Sequence, residues 1–272
     1  MVDASDAEEA LGVAREAARD AVEGLLAAWG TTGRREATRK RPRDLVTEAD
    51  RESERRIVER LAREFPGHAI VAEESGGKSG GGALRWIVDP LDGTTNYVHG
   101  FPMFAVSIAL YEGETPLVGL VVDPVRGEWF SARAGAGAWL DPGDPAEARR
   151  LTVADAADAD EGPLLATGFP FRRPAETDRY LRAFRELFLR ASDMRRAGSA
   201  ALDLAYVAAG RVDGFWEMGL SPWDIAAGEL LVLEAGGRVS DWRGGPGHRE
   251  TGWITAGGPE THRFLVSVLA DA

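Results

Sequence analysis

Between residues 7 and 29 the larger apolar side chains fall at Leu11, Ala14, Ala18, Val22, Leu25 and Trp29. These steps of three and four predict an amphipathic helix with its charges on the other face. A second helix is expected over residues 48–65, where Ile57, Val58, Leu61 and Phe65 make the stripe and Pro66-Gly67 ends it. The period then shortens. Residues 69–72, 86–88, 104–110, 117–122 and 128–132 are brief β-rich runs broken by Gly, Pro and Asp, which predicts a sheet packed on the two helices. Residues 141–163, rich in Ala, Asp, Pro and Gly, read either as a boundary or as one long surface excursion. As a boundary they divide the chain into an α+β half, residues 1–145, and an α/β half, residues 146–272, working as one compact unit. The second half alternates: strand 164–167, helices 177–191 and 199–209, strand 214–217, helix 222–235, strands 238–240 and 253–256, and a helix from 260.

Composition narrows the chemistry. The chain of 272 residues has no cysteine and four scattered histidines, so thiolate catalysis, Cys-type zinc and Ser-His-Asp chemistry lack raw material. Its 44 acidic against 32 basic residues leave a charge of -12, which offers no broad basic face for nucleic acid and favours a cationic cofactor. Residues 1–29 are acidic and helix-like, and no apolar run approaches a membrane span; the expectation is a soluble, cytoplasmic protein without membrane contact.

Two motifs mislead. Gly77-Lys78-Ser79 resembles the end of a P-loop, but position 72 is Ala72 where the first glycine belongs, and a strand follows where a helix is needed. The basic run at residues 34–43 reads by default as a solvated turn between acidic helices. Residues 75–83 hold five glycines in nine positions and predict a mobile loop.

The acidic residues cluster where strands end. Glu73-Glu74 closes one run, and Asp89-Pro90-Leu91-Asp92-Gly93-Thr94-Thr95 closes another, an edge where α/β architectures place ligands. Pro90 fixes the backbone between Asp89 and Asp92, so both carboxylates can face one point. Gly93 admits a close ligand, and Thr94-Thr95-Asn96 opens a helix whose amides suit phosphate. Oxygen ligands without His or Cys indicate Mg²⁺ or a similar cation, not zinc. The same residues also make an ordinary turn with a helix cap. Thr47/Asp50 and Ser221-Pro222-Trp223-Asp224 likewise read as helix-capping devices complete in themselves, and spacing alone leaves both readings standing.

In combination the motifs are specific. The segments from Asp44 to Asp50, Glu73-Glu74-Ser75, Trp86 to Asn96 and Pro222 to Gly228 resemble, in order, the signature set of the inositol monophosphatase family. Thr167-Gly168-Phe169-Pro170-Phe171, Gly198 to Tyr206 and Pro222 are most similar to its SuhB-type bacterial branch. The resemblance implies a five-layer αβαβα sandwich of the α+β / α/β class, commonly dimeric, that hydrolyses phosphate monoesters with two or three Mg²⁺ ions and is often Li⁺-sensitive. It makes Glu73, Asp89 and the Leu91 carbonyl ligands of one metal, and Asp89, Asp92 and Asp224 ligands of a second, with Glu73 available to a third. Asp50 and Thr94 match the pair that activates water, and Glu74 an auxiliary acid. Gly93 and Thr94 match phosphate-binding amides, while Asp92, Ala200, Glu217 and Asp224 match positions facing substrate hydroxyls. Lys40 matches a basic residue upstream of the Asp44-Leu45-Val46-Thr47 motif. The implied substrate is myo-inositol 1-phosphate or another small ester such as fructose 1,6-bisphosphate, histidinol phosphate, phosphoadenosine phosphate or NADP. The resemblance also implies a role of another class, binding a transcription factor in antitermination complexes with Nus factors.

Overall fold

Alternate residues of the central strands face different helices, and this parity places the layers. The computed structural model describes residues 4–30, 38–41, 44–76, 78–79, 82–143, 147–155, 161–171 and 173–271. It opens with α1 (Ala4–Ala28), β1 (Thr38–Arg41), β2 (Asp44–Val46) and α2 (Glu48–Glu64). There follow β3 (Ala69–Ala72), β4 (Lys78–Ser79), β5 (Leu84–Asp92), α3 (Thr94–Val98), β6 (Ala105–Glu112), β7 (Thr115–Asp123), β8 (Glu128–Arg133), β9 (Gly137–Asp141) and β10 (Arg149–Arg150). The rest comprises β11 (Leu164–Thr167), α4 (Thr177–Phe188), β12 (Asp193–Arg195), α5 (Ala200–Ala208), β13 (Gly214–Glu217), α6 (Pro222–Glu234), β14 (Arg238–Ser240), α7 (His248–Thr251), β15 (Ile254–Gly257) and α8 (Pro259–Leu269).

One sheet has the order β10-β9-β8-β7-β6-β5-β3-β4 and the other β12-β11-β13-β15-β14. In β5 to β7 the even residues Trp86, Val88, Val106, Ile108, Leu110, Val118, Leu120 and Val122 pack toward α1 and α2. The odd residues Ile87, Ala105, Ala109, Tyr111 and Val121 pack toward α5 and α6. Those two helices also meet the second sheet, whose outer face is covered by α4 and α8. The result is the expected αβαβα order of layers, with a core at each level.

Several boundaries moved. The buried line of α1 runs through Ala10, Ala14, Ala17, Ala18, Ala21 and Leu25, while Leu11, Val22 and Trp29 sit at its margin. Small side chains let α1 approach α2 and the sheet, so size outranks hydrophobicity in choosing the contact line. The run at residues 34–43 contains a strand instead of a simple turn: Thr38 and Arg39 pair antiparallel with Val46 and Leu45. The side chain of Lys40 and residues 34–37 and 42–43 lie outside the described residues. In the glycine-rich segment, Lys78 and Ser79 pair with Val71 and Ile70, so part of the expected loop is an edge strand; residues 77 and 80–81 lie outside the described residues. The helix expected to reach 191 ends at Phe188. Arg149 and Arg150 extend the first sheet by pairing with β9; in the same expected boundary stretch, residues 144–146 and 156–160 lie outside the described residues. Among the described residues no helix is long and apolar enough to cross a membrane.

A buried ionic cluster locks α6 between the first sheet and α7. Glu229 receives Arg249 through Nε at 2.8 Å and Nη2 at 2.7 Å, with His248 Nε2 at 3.1 Å and Tyr111 Oη at 3.1 Å. Burial pushes its carboxyl up, but the hydrogen bonds and charges of His248 and Arg249 outweigh that and hold it down at about 2. A depressed folded value means stability that is complete above the unfolded carboxylate range, near 4.3, and is lost as pH falls toward 2. Melting curves between pH 6 and pH 3 are expected to show a progressive loss that is shallower in Glu229→Gln; an unchanged pH slope in the variant would refute the assignment.

Candidate active site

Asp89 and Asp92 share a face because the strand between them is irregular. Asp89 pairs with Ser107 and Asp92 with Ala105, so three steps on β5 oppose two on β6, which is a β-bulge at Pro90-Leu91. In a regular strand residues three apart point to opposite faces. The bulge shifts the parity: Leu91, though odd, packs toward α1 and α2, and Asp92 turns with Asp89 toward α5 and α6. The predicted strand 86–88 thus continues through the motif, and proline is tolerated there because a bulged residue need not donate to the ladder. Pro90 is braced from below by Ser53, whose Oγ donates to its carbonyl at 2.8 Å.

Gly93 then caps α3 with φ 90°. A Cβ there would lie 2.9 Å from the Met103 carbonyl, so glycine is required by both torsion and space. Thr94 begins the helix and its Oγ1 lies 2.9 Å from Asp50 Oδ1 and 3.2 Å from the Leu91 carbonyl.

The capping and chemical readings of Asp50 and Asp224 prove compatible because a carboxylate has two oxygens. Asp50 Oδ2 accepts from Thr47 N at 2.7 Å and Thr47 Oγ1 at 2.5 Å, completing a capping box on α2, while Oδ1 takes Thr94. Asp224 Oδ2 accepts from Ser221 N at 2.7 Å at the start of α6. Asp92 Oδ2 accepts from Ser199 Oγ at 2.6 Å and Ala201 N at 2.8 Å, which fastens β5 to the start of α5 and sets Ala200 beside it. Asp89 Oδ1 accepts from Leu91 N at 3.0 Å.

Asp89, Asp92 and Asp224 each place a carboxylate oxygen within 4.8 Å of the others. Burial pushes the Asp89 carboxyl well up, and the charges of Glu73, Asp92 and Asp224 push further. Asp50 is raised by burial and by Glu73, against hydrogen bonds from Thr47 and Thr94. Such mutual repulsion among oxygen donors is what a divalent cation relieves, so the donor set fits Mg²⁺. Glu217, at the end of β13, is raised by burial and then by Asp203, Asp224 and Asp92, with Arg196 opposing; its carboxylate packs so closely on Gly168 that a Cβ would meet Oε1.

Glu73 and Glu74 are half-buried. Parallel pairing of β3 with β5 sets Ala72 beside Val88, and Glu73 N donates to the Val88 carbonyl at 3.2 Å. The N–H groups of Glu74 and Ser75 donate to Glu54 at 2.6 and 2.8 Å. Sequence reasoning missed Glu54, although a signal was present. Asp50, Ser53 and Glu54 continue the stripe of Ile57 and Leu61 toward the helix start and are buried with it, and polar residues on an apolar stripe mark a buried network. Ser199, Asp203 and Arg196 were also missed as neighbours of Asp92 and Glu217.

Residues 6–271 match the inositol monophosphatase family. The Nus factor SuhB of Escherichia coli K12 is 46% identical over 263 residues, 96% of each chain. The extragenic suppressor protein SuhB of Bartonella henselae superposes with a TM-score of 0.89 at 40% identity, covering 96% of this chain and 98% of that one. An inositol monophosphatase from Anabaena does so with a TM-score of 0.84 at 39% identity, covering 97% and 96%. The chain therefore belongs to the inositol monophosphatase family.

Proposed function

We propose that this chain is a Mg²⁺-dependent phosphate monoester hydrolase, acting on myo-inositol 1-phosphate or a polyol monophosphate of similar shape, as a cytoplasmic, Li⁺-sensitive homodimer. The observation that carries the reading is the convergence of Asp89, Asp92 and Asp224 within 4.8 Å. Glu73, Asp89 and the Leu91 carbonyl would hold one cation and Asp89, Asp92 and Asp224 a second, with Glu73 open to a third. When bound, paired divalent cations neutralise phosphate charge, acidify water and stabilise attacking and leaving oxygens. The chain's own residues do the positioning. Thr94 Oγ1 donates to Asp50 Oδ1, leaving its lone pairs to orient the attacking water, whose proton passes toward Asp50; burial raises that carboxyl and makes it a better acceptor. Glu74 assists as an auxiliary acid. The amides of Gly93 and Thr94 bind phosphate, and Asp92, Ala200, Glu217 and Asp224 face the substrate hydroxyls. Residues 1–145 thus supply most carboxylates and residues 146–272 supply Asp224, the two halves acting as one unit.

The test is a phosphate-release panel over inositol 1-phosphate, fructose 1,6-bisphosphate, histidinol phosphate, phosphoadenosine phosphate and NADP, with and without Mg²⁺. Turnover is expected to be greatest on the inositol ester and to vanish in excess EDTA. Full activity after dialysis into EDTA would sink the scheme. Thr94→Ala is expected to lower kcat about 10²-fold with Mg²⁺ affinity nearly unchanged, because it removes orientation of water and no ligand; a large loss of Mg²⁺ affinity would contradict that role.

The relatives named Nus factor SuhB favour a second reading, a binding role in transcription antitermination, and one fold can carry both. Retention of Nus-factor binding by a protein lacking both Asp89 and Asp92 carboxylates would establish a separable surface. Loss of binding with the fold intact would tie it to the carboxylate site.

A further inference from the structure

On the outer side of the second sheet lies a cavity of about 380 Å³ walled by Arg173, Arg179, Asp241, Trp242, Arg243 and Trp253. Its charge is opposite in sign to that of the chain as a whole, which carries -12. Arg179 stacks on Trp253, its Cζ 4.3 Å from the ring centroid, and reaches to 5.9 Å from Trp242. A guanidinium held on an indole face keeps its in-plane N–H groups for another partner and loses little freedom on binding one. Its Nε is buried without a hydrogen-bond acceptor, and an unmet buried donor is costly to keep. Among the described residues no carboxylate pairs with Arg173, Arg179 or Arg243. The carboxylate in the wall is already committed: Asp241 Oδ1 accepts from Arg243 N at 2.8 Å and Gly245 N at 2.9 Å, and Oδ2 from Gly247 N at 3.3 Å. Glu250 stands exposed at the rim. Trp242 is fixed by its Nε1, which donates to the carbonyls of Glu217 and Ile254 at 3.2 Å each.

We infer that this cavity is a second ligand site, for a small polyanion bearing carboxylate or phosphate groups. Three arginines line one volume, the guanidinium of Arg179 preorganised by stacking, and guanidinium groups suit oxyanions taken two N–H groups at a time. The volume falls within the usual range for small-molecule pockets, about 300–1,000 Å³. The chemistry rests on arginine and tryptophan, so it is independent of metal at the carboxylate cluster.

Calorimetric titration of the full chain, stripped of divalent cations on a chelating resin and exchanged into EDTA-free, low-salt buffer, with inorganic pyrophosphate and separately with citrate, tests it. Without divalent cations the carboxylate site repels both probes, so the cavity is read alone. At least one probe is expected to bind with a Kd in the millimolar range or tighter, and to weaken as NaCl is added. Binding by pyrophosphate alone assigns a phosphate ligand and by citrate alone a carboxylate. Arg179→Ala and the exposed Arg243→Gln are each expected to weaken binding about tenfold, with an unchanged melting temperature for Arg243→Gln; where Arg179→Ala melts low, Arg243→Gln decides. No heat with either probe, or equal affinity in wild type and Arg243→Gln, would overturn the inference.

Discussion

Asp89→Asn is expected to lower kcat by at least on the order of 10³-fold at saturating Mg²⁺ and, in EDTA, to raise the melting temperature by a few degrees. Both effects have one cause. Asp89 is almost fully buried beside Glu73, Asp92 and Asp224, and its carboxyl is pushed well up by burial and then by their charges. A carboxyl that binds its proton more tightly folded than unfolded destabilises the folded state as pH rises above the unfolded value, near 3.9. At neutral pH the metal-free protein therefore carries a strained acid, which the neutral amide relieves while Asn Oδ1 still accepts from Leu91 N. The same amide gives the cations one neutral oxygen where an anionic group shared between two ions is proposed. Asp224→Asn is expected to be milder. Near-native kcat for Asp89→Asn, or a lower melting temperature in EDTA, would contradict the account.

Gly252→Ala is expected to lower the melting temperature by roughly 6–12 °C, the consequence of about 3 kcal/mol spread over a chain of this size. Gly252 ends α7 with φ 70°, and a Cβ would meet the Leu220 carbonyl and stand 2.7 Å from Leu220 N. Both contacts are backbone, so neither can be relieved by a rotamer change. Leu220 precedes Ser221, whose N–H holds Asp224 Oδ2, so displacement of this turn is expected to reduce activity too. Gly244→Ala is the control. Its φ of 81° is also left-handed, but its nearest neighbour is a methyl of Val266 at 3.5 Å, so it carries the torsional cost alone, roughly 1–2 kcal/mol. Equal melting temperatures for the two variants would remove the steric argument.

The carboxylates were legible because each sits where local rules already favour an acid. Asp50 and Asp224 occupy the third position of helices opened by Thr47 and Ser221, and Asp89 and Asp92 lie either side of Pro90-Leu91 at a strand end, so short-range patterns mark the positions but leave a capping or turn reading beside the chemical one until the family resemblance joins them. The change of period after residue 65 predicts a sheet packed on two helices, whereas the five-layer order was implied by the family resemblance alone. Other features depend on contacts distant in sequence. The two residues of β4 and of β10 are strands only because β3 and β9 offer partners. Hydrophobicity chose Leu11 and Val22 for the core of α1, but closeness of approach chose the alanines. The bulge at Pro90-Leu91 is defined by register against β6, and only that register puts Asp92 on the face of Asp89. Fastening Asp92 to Ser199 and bringing Asp224 within 4.8 Å of it required both sheets to close on α5 and α6. Local propensity acts over a few residues and so marks which side chains have the right chemistry. Their convergence on one point is decided by packing between layers, because burial that no single segment achieves alone is what holds like charges together.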